Sequence, residues 1–330
     1  MKSQFSFSDI EQSAKTRVTK REKFLSDMEA IVPFKRWVSM IEPYYPKGER
    51  GRPVKGIEKM LRMYLLQIWF NLSDEMLEDC IYDSYSMKKF AGIDLLEENV
   101  PDAVTLLRFR HILEQNDLQK RIFKDLAKEL AARNYLMKEG TVVDATIIQA
   151  SSSTKNEDKK RDPEMSSVKK GNNWYFGCKA HIGVDKESGL IHTVKVTSAN
   201  VHDSTPALKL LTGEEKEVYG DSAYLGMDKQ EHAPKNIKYN IVKRKSSTEK
   251  IENGLIRTLR KESERKKCGI RAVVEHSFQV LKCKFGYRKV RYSGLAKNES
   301  HLNMLFACVN LAKLIGKIEA DKPLYPQTIG

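Results

Sequence analysis

The sequence predicts an α/β protein in two parts: an all-α region over residues 1–137, then a unit over 138–316 whose mixed central sheet is flanked by helices. Residues 317–330 are left as a tail. Three observations predict this. Apolar residues recur at helical spacing as far as about Tyr135, the texture changes at Gly140 to alternating and β-branched runs, and the strand-like runs follow a definite order.

After GERGRPVKG (48–56), Ile57, Met60, Leu61, Tyr64, Leu65 and Ile68 fall on one helical face. Ser73 is placed to cap a next helix carrying Met76, Leu77 and Ile81. A third helical unit begins in VPDAVTLLRFRHIL (100–113) and continues as one amphipathic stretch to about Tyr135. Short helices with basic residues between them suit a helix-turn-helix DNA reader, and equally a small helical bundle. Arg50 and Arg52, in RGRP (50–53), are candidates for entering a DNA minor groove, although such a segment is more often only a basic loop.

TVVDATII (141–148) has the near-continuous apolarity of a strand covered on both faces, with Asp144 at its centre. Residues 151–173 are polar, charged and too long for an ordinary connection, so they read as a mobile loop. WYFGCKAHIGVD (174–185) alternates, with Trp174, Phe176, Cys178, Ala180, Ile182 and Val184 on one face. Ser188 and Gly189 supply a turn, LIHTVKVTSAN (190–200) returns, and a helix is expected from His202, capped by Asp203 or Ser204. EVYGD (217–221) and KYNIV (238–242) are further strands. Strand, hairpin, helix, strand, helix, strand, helix is the order of a ribonuclease-H-like fold.

Charge narrows the partners. The 330 residues carry a formal +14, which points to a polyanion, either nucleic acid or an anionic membrane. Residues 243–297 hold 17 Lys and Arg against 5 Asp and Glu, which accounts for +12 of that excess and favours a phosphate-binding surface, with the segment 243–267 as its basic start. The longest apolar run near the C-terminus, MLFACVNLA (304–312), stops well short of a span, and the N-terminus has no signal-peptide core, so a cytoplasmic location beside the nucleoid is expected. Five scattered cysteines without a CxxC support neither disulfides nor a zinc knuckle.

A carboxylate in a buried strand must be protonated, paired or bound to a cation. Asp144 alone could be a strand-end cap or a buried hydrogen-bond acceptor. Asp221, at the end of another strand after Gly220, is separated from it by room for a hairpin and a helix, so both acids can meet at one edge of the sheet. In GIRAVVEHSFQVLKCKFG (269–286), read as one helix, Ile270, Val273, Val274, Val280 and Leu281 gather on one side while Arg271, Glu275 and Lys282 align on the other. By itself that polar side is equally an ordinary surface stripe with an i,i+4 pair.

With these segments the chain resembles the DDE transposases of bacterial insertion sequences, and within them the insertion sequence 5 family. TVVDATII, SSSTKN, RDPEM, KKGN, FGCKAHIGVD, GDSAY, RAVVEH and FGYRKVRYSGLAKN are similar to that family's segments in order, and FLSDMEAIVPF, IEPYYPK, WFNLSDEMLEDCIY and FRHILEQ extend the likeness through the N-terminal region. The resemblance implies a catalytic triad of Asp144, Asp221 and Glu275 holding Mg2+, with Mn2+ able to substitute. It also implies double-stranded DNA partners, namely terminal inverted repeats and target DNA, and a homodimer on DNA. Arg271, Glu275 and Lys282 match the family's signature around the last acid, while its Tyr position is Cys268 here.

Hard carboxylate oxygens suit a two-metal phosphodiester chemistry that frees a 3′-hydroxyl and then joins it to target DNA. Lys282 and Arg271 are the candidate contacts to DNA phosphate, and Lys179 and His181 lie on the polar face of the hairpin strand, within possible reach of the site. His192 reads as a core histidine, His276 as a neighbour of Glu275 and Trp174 as core. Alternatives are a metal-dependent nuclease of the same fold, a catalytically silent end-binding repressor and a serine or tyrosine recombinase.

Overall fold

In a computed structural model, which describes residues 16–48, 54–137, 139–155, 157, 159–244, 246, 249–250 and 254–315, the N-terminal region is built from α1 (Lys20–Ile31), α2 (Phe34–Ile41), α3 (Ile57–Phe70), α4 (Asp74–Asp83), α5 (Tyr85–Ala91), α6 (Ala103–Gln115) and α7 (Leu118–Ala132). Local chemistry sets several of their starts. Thr19 and Glu22 form a reciprocal cap on α1, Ser73 Oγ accepts from the Met76 amide as the sequence predicts, and Asp102 accepts from the Thr105 amide at 2.7 Å. The single stretch expected to reach Tyr135 is two helices. Asn116 folds its amide back onto the Ile112 carbonyl and Asp117 takes a left-handed conformation (φ 52°), which ends α6 and turns the chain into α7.

The second part holds β1 (Gly140–Gln149), β2 (Ser166–Lys170), β3 (Asn173–Asp185), β4 (Ile191–Ser198), β5 (Glu217–Gly220) and β6 (Lys238–Ile241). They form one sheet along the path β2-β3-β1-β5-β6, with β4 also paired to β3. The strand β1 is central. It runs antiparallel to β3, with Asp144 opposite Ile182, and parallel to β5, with Val142 opposite Tyr219. Helices α8 (Gly254–Arg271), α9 (Val273–Gln279) and α10 (Leu295–Leu314) follow. This helical region followed by a mixed sheet with flanking helices is the ribonuclease-H-like arrangement expected, except that two 3-10 turns, Ser222–Tyr224 and Met227–Lys229, stand between β5 and β6 where the expected order has a helix.

The apolarity of β1 has a direct cause. Val142 and Ile148 pack into the larger core, while Val143, on the other face, packs with Val218, Tyr224 and Met227 in a smaller one. The larger core runs without interruption from Leu25 in α1 to Leu314 in α10, so the helical region and the sheet bury their apolar faces against each other. Helix α10 is buried almost all round, and no helix among the described residues is long and apolar enough to cross a membrane.

Several expectations need correction. The stretch 151–173 is not all loop, because Ser166–Lys170 zips onto the start of β3 as β2. Its RDPEM segment is also pinned, with Asp162 accepting from the Gly294 amide at 2.7 Å and Glu164 from the Leu295 amide at the start of α10. The helix expected after His202 is a set of turns and one 3-10 turn, Ala207–Leu210. There the side chains bond locally or across the fold, His202 to Ser204 and Asp203 to Lys179, and Pro206 precedes the 3-10 turn. Trp174 is not core: it is 69% exposed, because the strands that would cover it end before reaching it.

Candidate active site

The β1–β3 ladder fixes the backbone of Asp144, two residues past the last pair of the β1–β5 ladder, and alternation turns its side chain to the same face as Val142 and Ile148. The parallel strand β5 ends at Gly220, and the next residue, Asp221, caps a short turn through its Oδ1, which accepts from the Ala223 amide at 2.9 Å. Gly220 lets this turn pack closely, since a Cβ would meet the Tyr224 ring at 3.1 Å and Ile241 at 3.2 Å. Glu275 arrives from α9.

One cation ties two of these acids together. Arg271 Nη2 lies 3.3 Å from Asp144 Oδ2 and 3.8 Å from Glu275 Oε1. Burial alone would lower the guanidinium's pKa, yet Asp144, Asp221 and Glu275 together carry it above its ordinary value. The Asp144 carboxyl is also raised, first by burial and then by the Asp221 charge, against the pull of the Ala145 amide and Arg271. Both partners of this ion pair therefore move up. The arginine gains from the acids, but its charge does not offset the water that Asp144 has lost.

The donor set suits a hard divalent cation: the carboxylates of Asp144 and Glu275 flank one positive centre, and the Asp144 side chain is only 14% exposed. The side chain of Glu275 is 64% exposed, and among the described residues no three His, Cys, Asp or Glu side chains form a preassembled metal cluster. Arg271 stands among the acids instead. The helix expected over 269–286 is broken: α8 stops at Arg271, Ala272 forms a turn, α9 carries Glu275, and Val280–Lys284 forms a π-helical turn. Lys282 lies in that π turn and its Nζ donates to the Ile147 carbonyl at 2.8 Å, beside the same strand three residues past Asp144. Burial, and then the charges of Lys170 and Arg288, lower its pKa.

The remaining candidates lie elsewhere. Lys179 and His181 sit opposite Ile147 and Ala145 in the β1–β3 register, hence on the face away from Asp144. Lys179 pairs with Asp203 at 2.9 Å, and buried His181 bonds Thr197 Oγ1 at 2.8 Å, its imidazole pushed down to about 4 by burial. His192 is the core histidine expected, bonded to Thr141 Oγ1. Cys268 and His276 are exposed, and all five cysteines are free thiols. Arg50, Arg52 and the tail 317–330 lie outside the described residues.

Sequence reasoning passed over Tyr224, whose buried hydroxyl lacks a hydrogen-bond partner and whose ring lies under the Asp221 turn. Its place in GDSAY, three residues after the acid, was the available signal. It also missed Asp162 and Glu164 as caps of α10. In the sequence they stand in RDPEM, one of the family-like segments, with nothing local to link them to residues 294–295.

Two family models match the chain. One, described as "Transposase DDE domain", covers residues 135–311, more than half of its length, and the other, described as "Transposase domain (DUF772)", covers residues 12–112. No solved structure matches it.

Proposed function

The chain belongs to the transposase DDE-domain family, and on that premise we propose that it cuts the ends of an insertion sequence and joins them to target DNA, with Asp144, Asp221 and Glu275 as its catalytic carboxylates. A transposase acts on DNA, and the basic tract over 243–297 suits a polyanionic substrate. The finer reading rests on one observation above all: Asp144 from β1 and Glu275 from α9 share one guanidinium, and the charge of Asp221, at the end of β5, acts on the same group.

Asp144, Asp221 and Glu275 would hold divalent cations, Mg2+ or Mn2+, which would neutralise charge at the phosphorus and activate the attacking water. Asp144 gives the site its rigid member. Asp221 is held in place by the Ala223 amide, and Glu275 follows a turn at Ala272 that lets α9 approach. Arg271 leaves the acids for a DNA phosphate, and Lys282, anchored beside β1, faces the same backbone. In the first reaction water bonds to phosphorus and the 3′-oxygen of the element leaves with a proton. In the second that 3′-hydroxyl attacks a target phosphate and displaces the target's own 3′-oxygen. Residues 1–137 contribute binding to the terminal repeats, and two copies hold the two ends as a homodimer.

Asp144→Asn is the test. It should abolish cleavage while end binding stays within a few fold; retained cleavage would overturn the assignment. Precut ends in Mg2+ separate a transposase from a plain nuclease, since only the former yields joined product.

A further inference from the structure

Strand β3 is longer than its neighbours can support. β1 pairs with it only from Gly177 to Asp185 and β4 only from Cys178 to Val184, and the Ala150 amide reaches no further than the Phe176 carbonyl, so Asn173–Tyr175 pair with β2 alone. The β2–β3 hairpin therefore reaches past the body of the sheet. Its tip reads KKGNNW (169–174), with two lysines, no acid and every residue exposed. Gly171 makes the turn in a left-handed conformation (φ 62°). Trp174 stands in water there, whereas Trp37 and Trp69 are buried at 0% and 2%.

Lys169 is directly opposite Trp174 in the ladder, so ammonium and indole share one side of the hairpin. Alternation along β3 puts that side on the face that carries Asp144. The positive charge is continuous with the site, since Lys170 lies near enough to Lys282 to act on it. At the hairpin's base Arg161 lies 5.5 Å from the Phe176 ring, and with Lys155 and Lys160 it lines a groove of about 780 Å³. From Ile182, opposite Asp144, to Trp174 is a strand length of about 27 Å, or about eight base pairs of duplex. A duplex is stiff over that distance, so one lying across the carboxylates passes the hairpin.

Resting on the transposase reading above, we propose that the β2–β3 hairpin is a second DNA contact, with Lys169 on a backbone phosphate, the Trp174 indole packed in the groove beside it, and Lys170, from the other side of the tip, drawing a phosphate of the same duplex. Lysines flanking an exposed aromatic match a phosphate backbone with apolar sugar edges between the charges.

The test uses the full chain and a mixed-sequence duplex of about 30 base pairs, long enough to span both points. Trp174 is the one tryptophan among the three that acrylamide can reach. DNA should cut the quenching slope at least by half, and Trp174→Phe should remove both the quenchable component and its response. The double variant Lys169→Ala, Lys170→Ala should weaken binding about three- to tenfold and reduce the slope of log K against log salt by about 2. Binding that leaves Trp174 as quenchable as before, or a double variant with unchanged affinity and salt slope, overturns the hairpin's role and leaves the transposase reading standing. A chain that binds no duplex even at low salt overturns both.

Discussion

Arg271 Nη2 stands 3.3 Å from Asp144 Oδ2, and the same nitrogen lies 3.8 Å from Glu275 Oε1, so one guanidinium spans acids that the chain separates by more than a hundred residues. A positive side chain there competes with any other cation for the same oxygens. Arg271→Gln should therefore raise the affinity of the DNA-free protein for Mn2+ by about tenfold or more, read by titration calorimetry or Mn2+ resonance, while cleavage falls. Unchanged Mn2+ affinity would mean that the acids are not the cation's ligands.

Asp144 is raised above the ordinary carboxylate range, chiefly by burial, so folding favours its protonated form. The unfolded chain gives up this proton near its ordinary pKa of about 3.9 and the folded chain only at higher pH. Its contribution to stability therefore declines as pH rises through that window and is least favourable at neutral pH. In EDTA, Asp144→Asn should stabilise the protein at pH 7 by roughly 0.5–2 kcal/mol, with little gain near pH 4. Urea unfolding that shows the variant weaker at both pH values contradicts this.

Two buried histidines shape the acid limb. Burial, and then Arg291 and Arg110, push His301 down to about 3, and burial pushes His181 down to about 4. The folded state keeps both neutral while the unfolded chain takes up protons below about 6.5, so their stability is full above that pH and is lost as pH falls toward 4 and 3. Each accounts for up to about 1.36 kcal/mol per pH unit in that window. His301→Gln should make stability fall less steeply between pH 6 and 4, by up to one proton; an unchanged slope would show that His301 does not govern it.

Gly177 marks the point where β3 leaves β1. Its φ is 157°, and a Cβ would stand 2.1 Å from the Ile148 carbonyl and 2.9 Å from the Ala150 amide. Gly177→Ala should cost about 3 kcal/mol or more by denaturant unfolding, because backbone rather than a flexible side chain must move. A cost under about 0.5 kcal/mol would show that the two strands separate freely at this point.

Much of this protein is settled by interactions between near neighbours, and those parts were legible in the sequence. The Ser73 cap, the helical face from Ile57 to Ile68, the Ser188–Gly189 turn and the two-sided apolarity of β1 around Asp144 each depend on residue type and period over a few positions. Tertiary structure alone decided the rest. A period of two says that Trp174 and Cys178 share a face, but only the lengths of β1 and β4 determine that Cys178 is buried and Trp174 is not. Helical spacing aligns Arg271, Glu275 and Lys282, yet the turn at Ala272 and the π turn at Lys282 direct them to different partners, two carboxylates and the Ile147 carbonyl. Local pattern specifies which residues can face together; what they meet depends on surfaces contributed from elsewhere in the chain.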